Sequence, residues 1–285
     1  MISRPRLLGL TTLAMTAFAA NSILCRLALK ATQIDPSTFT LVRLVAGATT
    51  LWVIVRSRSG ETGTAGDWRS ALCLFSYAGA FSYAYVTLDA GTGALLLFGA
   101  VQATMILAGL ARGERLTTLQ TVGLLLALGG LVSLLLPGAT APSWSGAILM
   151  TLAGIAWGAY SLLGRGNTRP TATTAGNFIR GTVLAALLSV VTLPWFHFDA
   201  RGAGYAVLSG AIASGMGYAI WYTALPGLKA TQAATVQLSV PVIAAAGGIL
   251  VLGEHLTLRL ALCAIAILGG IALVLRARKS VRASK

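Results

Sequence analysis

Two arginines stand in segments that are otherwise almost entirely apolar. Arg43 lies in TFTLVRLVAGATTLWVIV (38–55), and Arg180 lies in NFIRGTVLAALLSVV (177–191). A guanidinium group stays charged in proteins and carries five N–H donors, so it pairs well with carboxylates. The sequence therefore leaves two roles open for each arginine: an ion pair that ties helices together, or a clamp on the carboxylate of a bound molecule.

The other ionisable residues argue against an enzyme. The chain has seven carboxylates and two histidines, and none falls in the middle of an apolar segment. These residues are Asp35, Glu61, Asp67, Asp89, Glu114, Asp199, Glu254, His197 and His255. Hydrolases and proteases of the bilayer need an embedded acid–base or Ser–His pair. A membrane-embedded enzyme or scaffold is therefore the weaker alternative, and we predict no catalytic residue and no cofactor.

Metal binding and proton coupling are disfavoured by the same inventory. Cys25, Cys73 and Cys263 have neither metal nor disulfide spacing, so no metal site is predicted. Proton-driven exporters use a titratable group within the membrane, and this chain offers none at mid-depth. The sequence thus favours facilitated diffusion down a gradient, which for an abundant cytoplasmic metabolite means export.

Membrane-spanning helices must position these residues. The 285 residues are 56% hydrophobic and only 10% charged, whereas soluble domains carry about 25% charged residues. A span of the bilayer core needs about 20 mostly apolar residues. On that length we predict an all-α polytopic membrane protein with ten spans, at 7–29, 36–56, 69–88, 91–111, 117–136, 144–163, 171–194, 203–224, 230–250 and 257–275.

The distribution of positive charge predicts the orientation. The net charge is +14, and most of the 21 lysines and arginines fall in alternate connectors and at the chain ends. With the N-terminus inside, the external connectors receive only Arg26, Lys30, Arg201 and Arg259. Because basic residues are retained on the cytoplasmic side, we predict that both chain ends lie in the cytoplasm (N-in, C-in). This pattern gives no indication of a nucleic-acid partner.

The chain contains an internal repeat. The stretch LARGERLTTLQTVGLLLALGGLVSLLL (110–136) aligns without gaps with LVLGEHLTLRLALCAIAILGGIALVLR (250–276), and upstream Arg43 aligns with Arg180 and Tyr85 with Tyr222. Residues 1–140 and 141–285 are therefore predicted to be two copies of one five-helix unit. Because five is odd, the second copy enters the membrane inverted, a design typical of transporters with a site between the halves.

Several motifs carry a resemblance to a known family. Ten helices in two halves, Gly-Glu-x-Leu-Thr ahead of the fifth and tenth helices, and Gly-Gly within them resemble the EamA-type drug/metabolite transporter superfamily. The stretch YAGAFSYAYVTLDAGTGALLLFGAVQATMI (77–106) is similar to YddG-type aromatic amino-acid exporters of bacterial inner membranes. The resemblance covers the whole chain. It implies alternating-access export of small amphipathic metabolites, amino acids first, by a monomer without a cofactor; export of drugs or nucleosides is the alternative.

The resemblance also implies which helices line the cavity: the first, third, fourth, sixth, eighth and ninth. Near their middles the expected substrate-binding residues are Asn21, Tyr77, Phe81, Gln102, Trp157, Tyr218 and Gln237. Amide and hydroxyl groups can bond a zwitterion, while ring faces take an apolar side chain or an ammonium group. Any of these side chains could instead serve ordinary helix packing. Tyr85 and Tyr222, near opposite ends of their helices, are expected gates.

Structural roles are predicted for the two arginines and the Gly-Glu pairs. The arginines occupy matched positions away from mid-depth, which favours a structural role over substrate contact. We expect Arg43 to approach Glu254 or neighbouring carbonyls, and Arg180 to approach Glu114. The pairs are Gly113–Glu114 and Gly253–Glu254, and the glycines expected to bring the fifth and tenth helices close are Gly129, Gly130, Gly269 and Gly270.

Overall fold

The computed structural model describes residues 3–57, 65–113, 115–138, 141–228 and 230–283, which form helices and connectors without a strand. The first seven helices are α1 Arg4–Ala31, α2 Pro36–Ser57, α3 Trp68–Tyr85, α4 Ala90–Ala111, α5 Thr118–Leu135, α6 Trp144–Leu163 and α7 Pro170–Val191. The others are α8 Ala200–Leu208, a π-helical segment Ser209–Met216, α9 Gly217–Ala224, α10 Ala230–Gln237, α11 Ser239–Leu252 and α12 Leu258–Ala283.

The helices have the lengths and composition of a polytopic membrane protein. Within the described ranges, nine helical stretches are long and apolar enough to cross a bilayer. The predicted span 69–88 coincides with α3, which is not among the nine because Arg69, three serines and three tyrosines make it less apolar. The total of ten spans, their inverted repeat and their orientation remain predictions.

Acidic residues outside the spans hold helix ends. Asp35 Oδ1 accepts the N–H groups of Ser37 and Thr38 at 2.9 Å, where α2 begins. Asp67 and Asp199 cap α3 and α8 in the same way. Such a cap satisfies donors that no helical carbonyl reaches and contributes about 1 kcal/mol. Three of the seven carboxylates are thus committed to helix ends.

The backbone conformation explains why glycine occupies the first position of the two Gly-Glu pairs. Gly113 follows the end of α4 with φ +84°, and Gly253 ends α11 with φ +66°. Side chains rarely adopt these left-handed angles, so glycine is the favoured helix stop. The glycine of each copy therefore marks a helix end.

Two predicted spans are interrupted. The span at 230–250 breaks at Leu238, between α10 and α11. Pro241 accounts for this break, because its ring has no N–H and clashes with the carbonyl four residues earlier, at Gln237. The span at 203–224 contains the π-helical segment, in which a Cβ on Gly210 would overlap the Arg43 carbonyl of α2. The backbone of this segment therefore packs directly against the backbone of α2.

Glycines bring α5 and α12 together, although only two of the four predicted ones do so. A Cβ on Gly130 would lie 2.9 Å from the Ala266 side chain, and one on Gly270 would overlap the Gly123 carbonyl. Gly129 and Gly269 have nothing within 4 Å of an added Cβ. Adjacent helical residues point about 100° apart, so one glycine of each pair faces the partner helix and the other faces away.

This difference predicts the effect of two neighbouring substitutions. Gly270→Ala is expected to destabilise the protein by about 1–3 kcal/mol, because the new methyl group meets backbone atoms that cannot rotate away. Gly269→Ala is the matched control and should leave stability unchanged or slightly raised. Thermal unfolding of the purified variants in detergent measures both. Equal melting temperatures for the two variants would contradict the packing described here.

Contacts between helices and connectors define the two ends of the helix bundle. At one end, Arg26 of α1 pairs with Asp89, just before α4, and with Glu254, just after α11. At the other end, the Asp67 N–H donates to Asn177 Oδ1 of α7 at 3.0 Å. We name these the Arg26 end and the Asp67 end. The predicted orientation would place the Arg26 end outside the cell and the Asp67 end in the cytoplasm.

Candidate functional site

A row of aromatic rings lies along one face of α3. Tyr77, Phe81 and Tyr85 are spaced by four residues, which brings their side chains onto the same face. The ring centroids of Tyr77 and Phe81 lie 5.4 Å apart, and those of Phe81 and Tyr85 lie 4.7 Å apart. All three side chains are buried, and the row ends at the Arg26 end.

Rings from the second part of the chain extend this row. Trp157 of α6 lies 4.6 Å from the Tyr77 ring and 5.5 Å from the Tyr218 ring of α9. Tyr218 stacks in turn on Tyr222 at 6.0 Å. Each such contact contributes about 0.5–1.5 kcal/mol beyond its buried area. We name the six residues the aromatic column: Tyr85, Phe81, Tyr77, Trp157, Tyr218 and Tyr222.

A polar group borders the middle of the column. The Tyr77 hydroxyl oxygen accepts from Arg43 Nη2 at 3.0 Å and from Asn21 Nδ2 at 3.3 Å. Ser209, the first residue of the π-helical segment, donates to Asn21 Oδ1 at 2.5 Å. These four side chains come from α1, α2, α3 and the π-helical segment, and all are buried. The site therefore joins aromatic faces to hydrogen-bonding groups.

Arg43 belongs to this polar group, and its predicted approach to Glu254 is wrong. Its Cζ lies 4.8 Å from the Phe81 ring centroid, a cation–π distance. Glu254 instead contacts Arg26 and accepts the Ala90 N–H at 2.9 Å. The sequence could not separate these pairings, because Arg26 and Arg43 are both predicted near the external ends of their helices. Only the packing of the helices decides which of the two lies beside Glu254.

Arg180 is held by backbone carbonyls at the Asp67 end. Its Nη1 donates to Gly176 at 3.0 Å and to Ala65 at 3.2 Å. The predicted partner Glu114 lies outside the described residues. Arg180 thus ties α7 to the segment before α3, whereas its repeat counterpart Arg43 lies within the bundle.

The Arg26 end is closed by charged groups that the sequence did not bring together. Arg26 is only 7% exposed, and its Nη1 donates to the carbonyls of Tyr85 and Val86 at 2.9 Å. Its Nε lies 3.5 Å from Glu254 Oε1, and its Nη2 lies 3.4 Å from Asp89 Oδ1. The charge distribution assigns Arg26 to the external side, and the predicted span 7–29 already contains it. In the structure it lies within α1, five residues before the helix ends.

Toward the Asp67 end, the groups around Tyr222 are neutral. The Tyr222 hydroxyl lies 3.1 Å from Thr174 Oγ1, which also accepts from Tyr160 at 3.4 Å. Trp157 and Tyr222 are partly exposed, whereas Tyr85 is fully buried. In the repeat alignment, the residue matching Arg26 is Leu163. The two ends therefore differ in chemistry, and the Arg26 end is the more tightly sealed.

Two predicted substrate residues lie elsewhere. Gln102 is buried on α4, where it lines a narrow gap with Leu131 of α5 and Ile267 of α12. Gln237 is the last residue of α10 and is partly exposed. In the described ranges neither bonds to the aromatic column or its polar group. The five other predicted substrate residues (Asn21, Tyr77, Phe81, Trp157 and Tyr218) and both predicted gates form one connected cluster.

The charge of Glu254 should make closure of the Arg26 end depend on pH. Burial and the nearby Asp89 raise the pKa of Glu254, although the Ala90 N–H, Arg26 and Lys30 act in the opposite direction. If opening hydrates Glu254, its pKa returns toward the ordinary 4.5. The closed form then binds a proton more readily than the open form, so lowering the pH from neutral toward 4.5 is expected to favour closure.

Labelling of Cys25, which is fully buried beside Arg26, measures this effect. In a Cys73→Ser, Cys263→Ser background, the labelling rate of Cys25 with maleimide is divided by the rate for unfolded protein at the same pH. This ratio should fall as the pH is lowered. Glu254→Gln should remove the dependence. Faster relative labelling in acid would contradict the expected sign.

Comparisons with known proteins agree with this architecture. The EamA-like transporter family matches residues 7–136 and again residues 144–276. An uncharacterized protein of Pseudomonas aeruginosa, PA1977, is 60% identical over 274 residues, which is 96% of each chain. The uncharacterized transporter YoaV of Bacillus subtilis is 21% identical over 253 residues, covering 84% of this chain and 87% of its own.

A solved structure supports the fold independently. One protein crystal structure superimposes with a TM-score of 0.69 and covers 95% of this chain and 97% of its own, at 19% identity. At that identity the similarity concerns the fold. The family match, in contrast, extends over most of the chain. The protein therefore belongs to the EamA-like transporter family and is a multi-pass membrane transporter of small molecules.

Proposed function

We propose that the protein exports small amphipathic metabolites, above all amino acids with aromatic or other apolar side chains, across the bacterial inner membrane. The observation that carries this proposal is the aromatic column with a polar group at its middle. Ring faces suit an apolar side chain, and the adjoining hydroxyl, amide and guanidinium groups suit the polar end of the same molecule. Cofactors have no part in this activity.

Alternating access is the proposed mechanism. Ten spans in two inverted halves, 1–140 and 141–285, would exchange packings around the column, with Tyr85 and Tyr222 as gates and a single chain as the working unit. Two observations support this. The family matches twice in succession, and the column takes three rings from α3 and three from α6 and α9.

The placement of the described carboxylates supports facilitated diffusion. Asp35, Asp67 and Asp199 cap helices, and Glu254 belongs to the closed Arg26 end. A proton-driven cycle needs a titratable group that substrate and proton share within the membrane. We therefore expect export to follow the substrate gradient.

Transport by purified protein in liposomes tests the proposal. Vesicles are loaded with amino acids, nucleosides or dyes, and exchange with external labelled substrate is followed. Phenylalanine, tryptophan and leucine are expected to exchange, and a pH gradient should not drive their accumulation. Movement of dyes or nucleosides without any amino acid would overturn the substrate class, and uphill flux on a pH gradient would overturn facilitated diffusion.

A further inference from the structure

Arg43 is a buried charge without a countercharge in the described structure. The side chain is 2% exposed, and its Nε and Nη1 have no hydrogen-bond partner there. Those two nitrogens carry three N–H donors. A guanidinium inside the membrane costs about 2.5–3.5 kcal/mol even on insertion scales, so such groups are normally paired. Arg43 thus has unused capacity for an anion.

The two other arginines of the bundle are satisfied differently. Arg26 pairs with Asp89 and Glu254, and Arg180 donates to two backbone carbonyls. Among the carboxylates that the structure describes, none lies within ion-pair distance of Arg43. The described acids close the Arg26 end or cap a helix, so none of them occupies the free donors of Arg43.

The surroundings of Arg43 orient its guanidinium beside the aromatic column. Nη2 is held by the Tyr77 hydroxyl, and Cζ lies over the rings of Phe81 and Tyr77, at 4.8 Å and 5.4 Å from their centroids. The Tyr77 ring in turn contacts Trp157. One small molecule can therefore place an anionic group on Arg43 and an apolar group against these rings.

We propose that Arg43 binds the carboxylate of the transported substrate, which makes the substrate an apolar carboxylic acid, with amino acids as the main class. This inference rests on the proposed transport function and adds a requirement to it: the substrate must carry a negative charge. It reverses the structural role expected for Arg43 from the sequence. Cationic drugs and neutral nucleosides lack the group that Arg43 recognises.

Ligand pairs that differ only at the carboxyl group test the proposal. The wild-type protein and Arg43→Gln are compared by thermal-shift titration with phenylalanine against phenylalaninamide, and with 3-phenylpropanoate against 3-phenylpropanamide. Hydrogen bonds between charged groups are stronger than those to a neutral amide. Wild type is therefore expected to bind each acid about 10- to 100-fold more tightly than its amide. Arg43→Gln should lose this preference and keep its weak affinity for the amides.

Two further variants guard against a purely structural effect. Arg43→Lys keeps the charge but loses the planar donor group, so it should fold and retain part of the preference. Arg180→Gln removes the repeat-related arginine outside the site and should leave the preference unchanged. Equal weakening of acids and amides by Arg43→Gln, or a wild type that prefers no acid, would overturn the proposal.

The transport function and the carboxylate subsite can fail separately. If Arg43→Gln still distinguishes acids from amides while wild type exchanges amino acids in liposomes, the subsite is refuted and the transport function stands. If wild type prefers 3-phenylpropanoate over its amide, Arg43→Gln loses that preference, and wild type moves no amino acid, the subsite is supported and amino acids are refuted as the substrate class.

Discussion

Replacing Arg26 with alanine is expected to open the Arg26 end of the protein. The substitution leaves Glu254 buried without a countercharge and removes the donor that holds the carbonyls of Tyr85 and Val86. Breaking one partner of a buried ion pair costs about 3–5 kcal/mol. Because only the closed form contains the buried pair, the balance between closed and open forms should shift by more than about a hundredfold.

The reactivity of Cys25 reports this change. With Cys25 as the only cysteine, maleimide labelling should accelerate strongly in Arg26→Ala. Lys30→Ala is the matched control, since Lys30 lies on the same helix one turn further, is exposed and acts on Glu254 only through space. It should change the labelling rate far less than Arg26→Ala. Changing both Arg26 and Glu254 to methionine should restore slow labelling, because exchanging a buried pair for apolar side chains is often neutral. Unchanged labelling in Arg26→Ala would refute the role of this pair.

Replacing Trp157 with alanine is expected to abolish transport of apolar amino acids. Trp157 alone joins the Tyr77 ring of α3 to the Tyr218 ring of α9 within the aromatic column. Removing a packed tryptophan costs about 3–5 kcal/mol. If the substrate packs against Trp157 as the neighbouring rings do, losing this contact should lower the transport rate by more than about a hundredfold. Trp157→Phe should keep a measurable part of the rate.

Initial exchange rates in liposomes, at matched protein content, measure this loss. Trp144 begins the same helix and is 58% exposed, so Trp144→Ala should stay within about twofold of wild type, as expected of a surface position. A Trp157→Ala protein that folds and exchanges leucine at the wild-type rate would remove the aromatic column from the transport path.

Part of this site could be read from the sequence because it depends on local spacing. Tyr77 and Phe81 share a face of α3 through their separation by four residues. Tyr218 was expected from its position near the middle of a cavity helix, and it aligns with Phe81 in the repeat. The break before Pro241 also has a local cause, the missing N–H of proline. The family assignment drew on whole-chain motifs and was confirmed for the EamA family; the finer aromatic-exporter assignment remains a proposal.

Other features depend on the rotation of each helix about its axis, which spacing within one helix does not fix. Gln102 faces α5 and α12 rather than the aromatic column, and Gly130 meets α12 while Gly129 does not. A turn of about 100° per residue separates these outcomes. In a membrane, apolar side chains suit both lipid and helix neighbours, so hydropathy indicates that a helix spans but not which side faces its partners.

The sequence by itself determined that this chain is a helical membrane protein of a transporter family, because composition, segment length and repeated motifs are properties of the linear chain. Only the tertiary structure decided how the charges are paired. Glu254 was expected to meet Arg43 and meets Arg26 instead, leaving Arg43 beside the aromatic rings. An ion pair forms between groups that packing brings within about 4 Å, and residues more than two hundred positions apart reach that distance only through the arrangement of every helix between them.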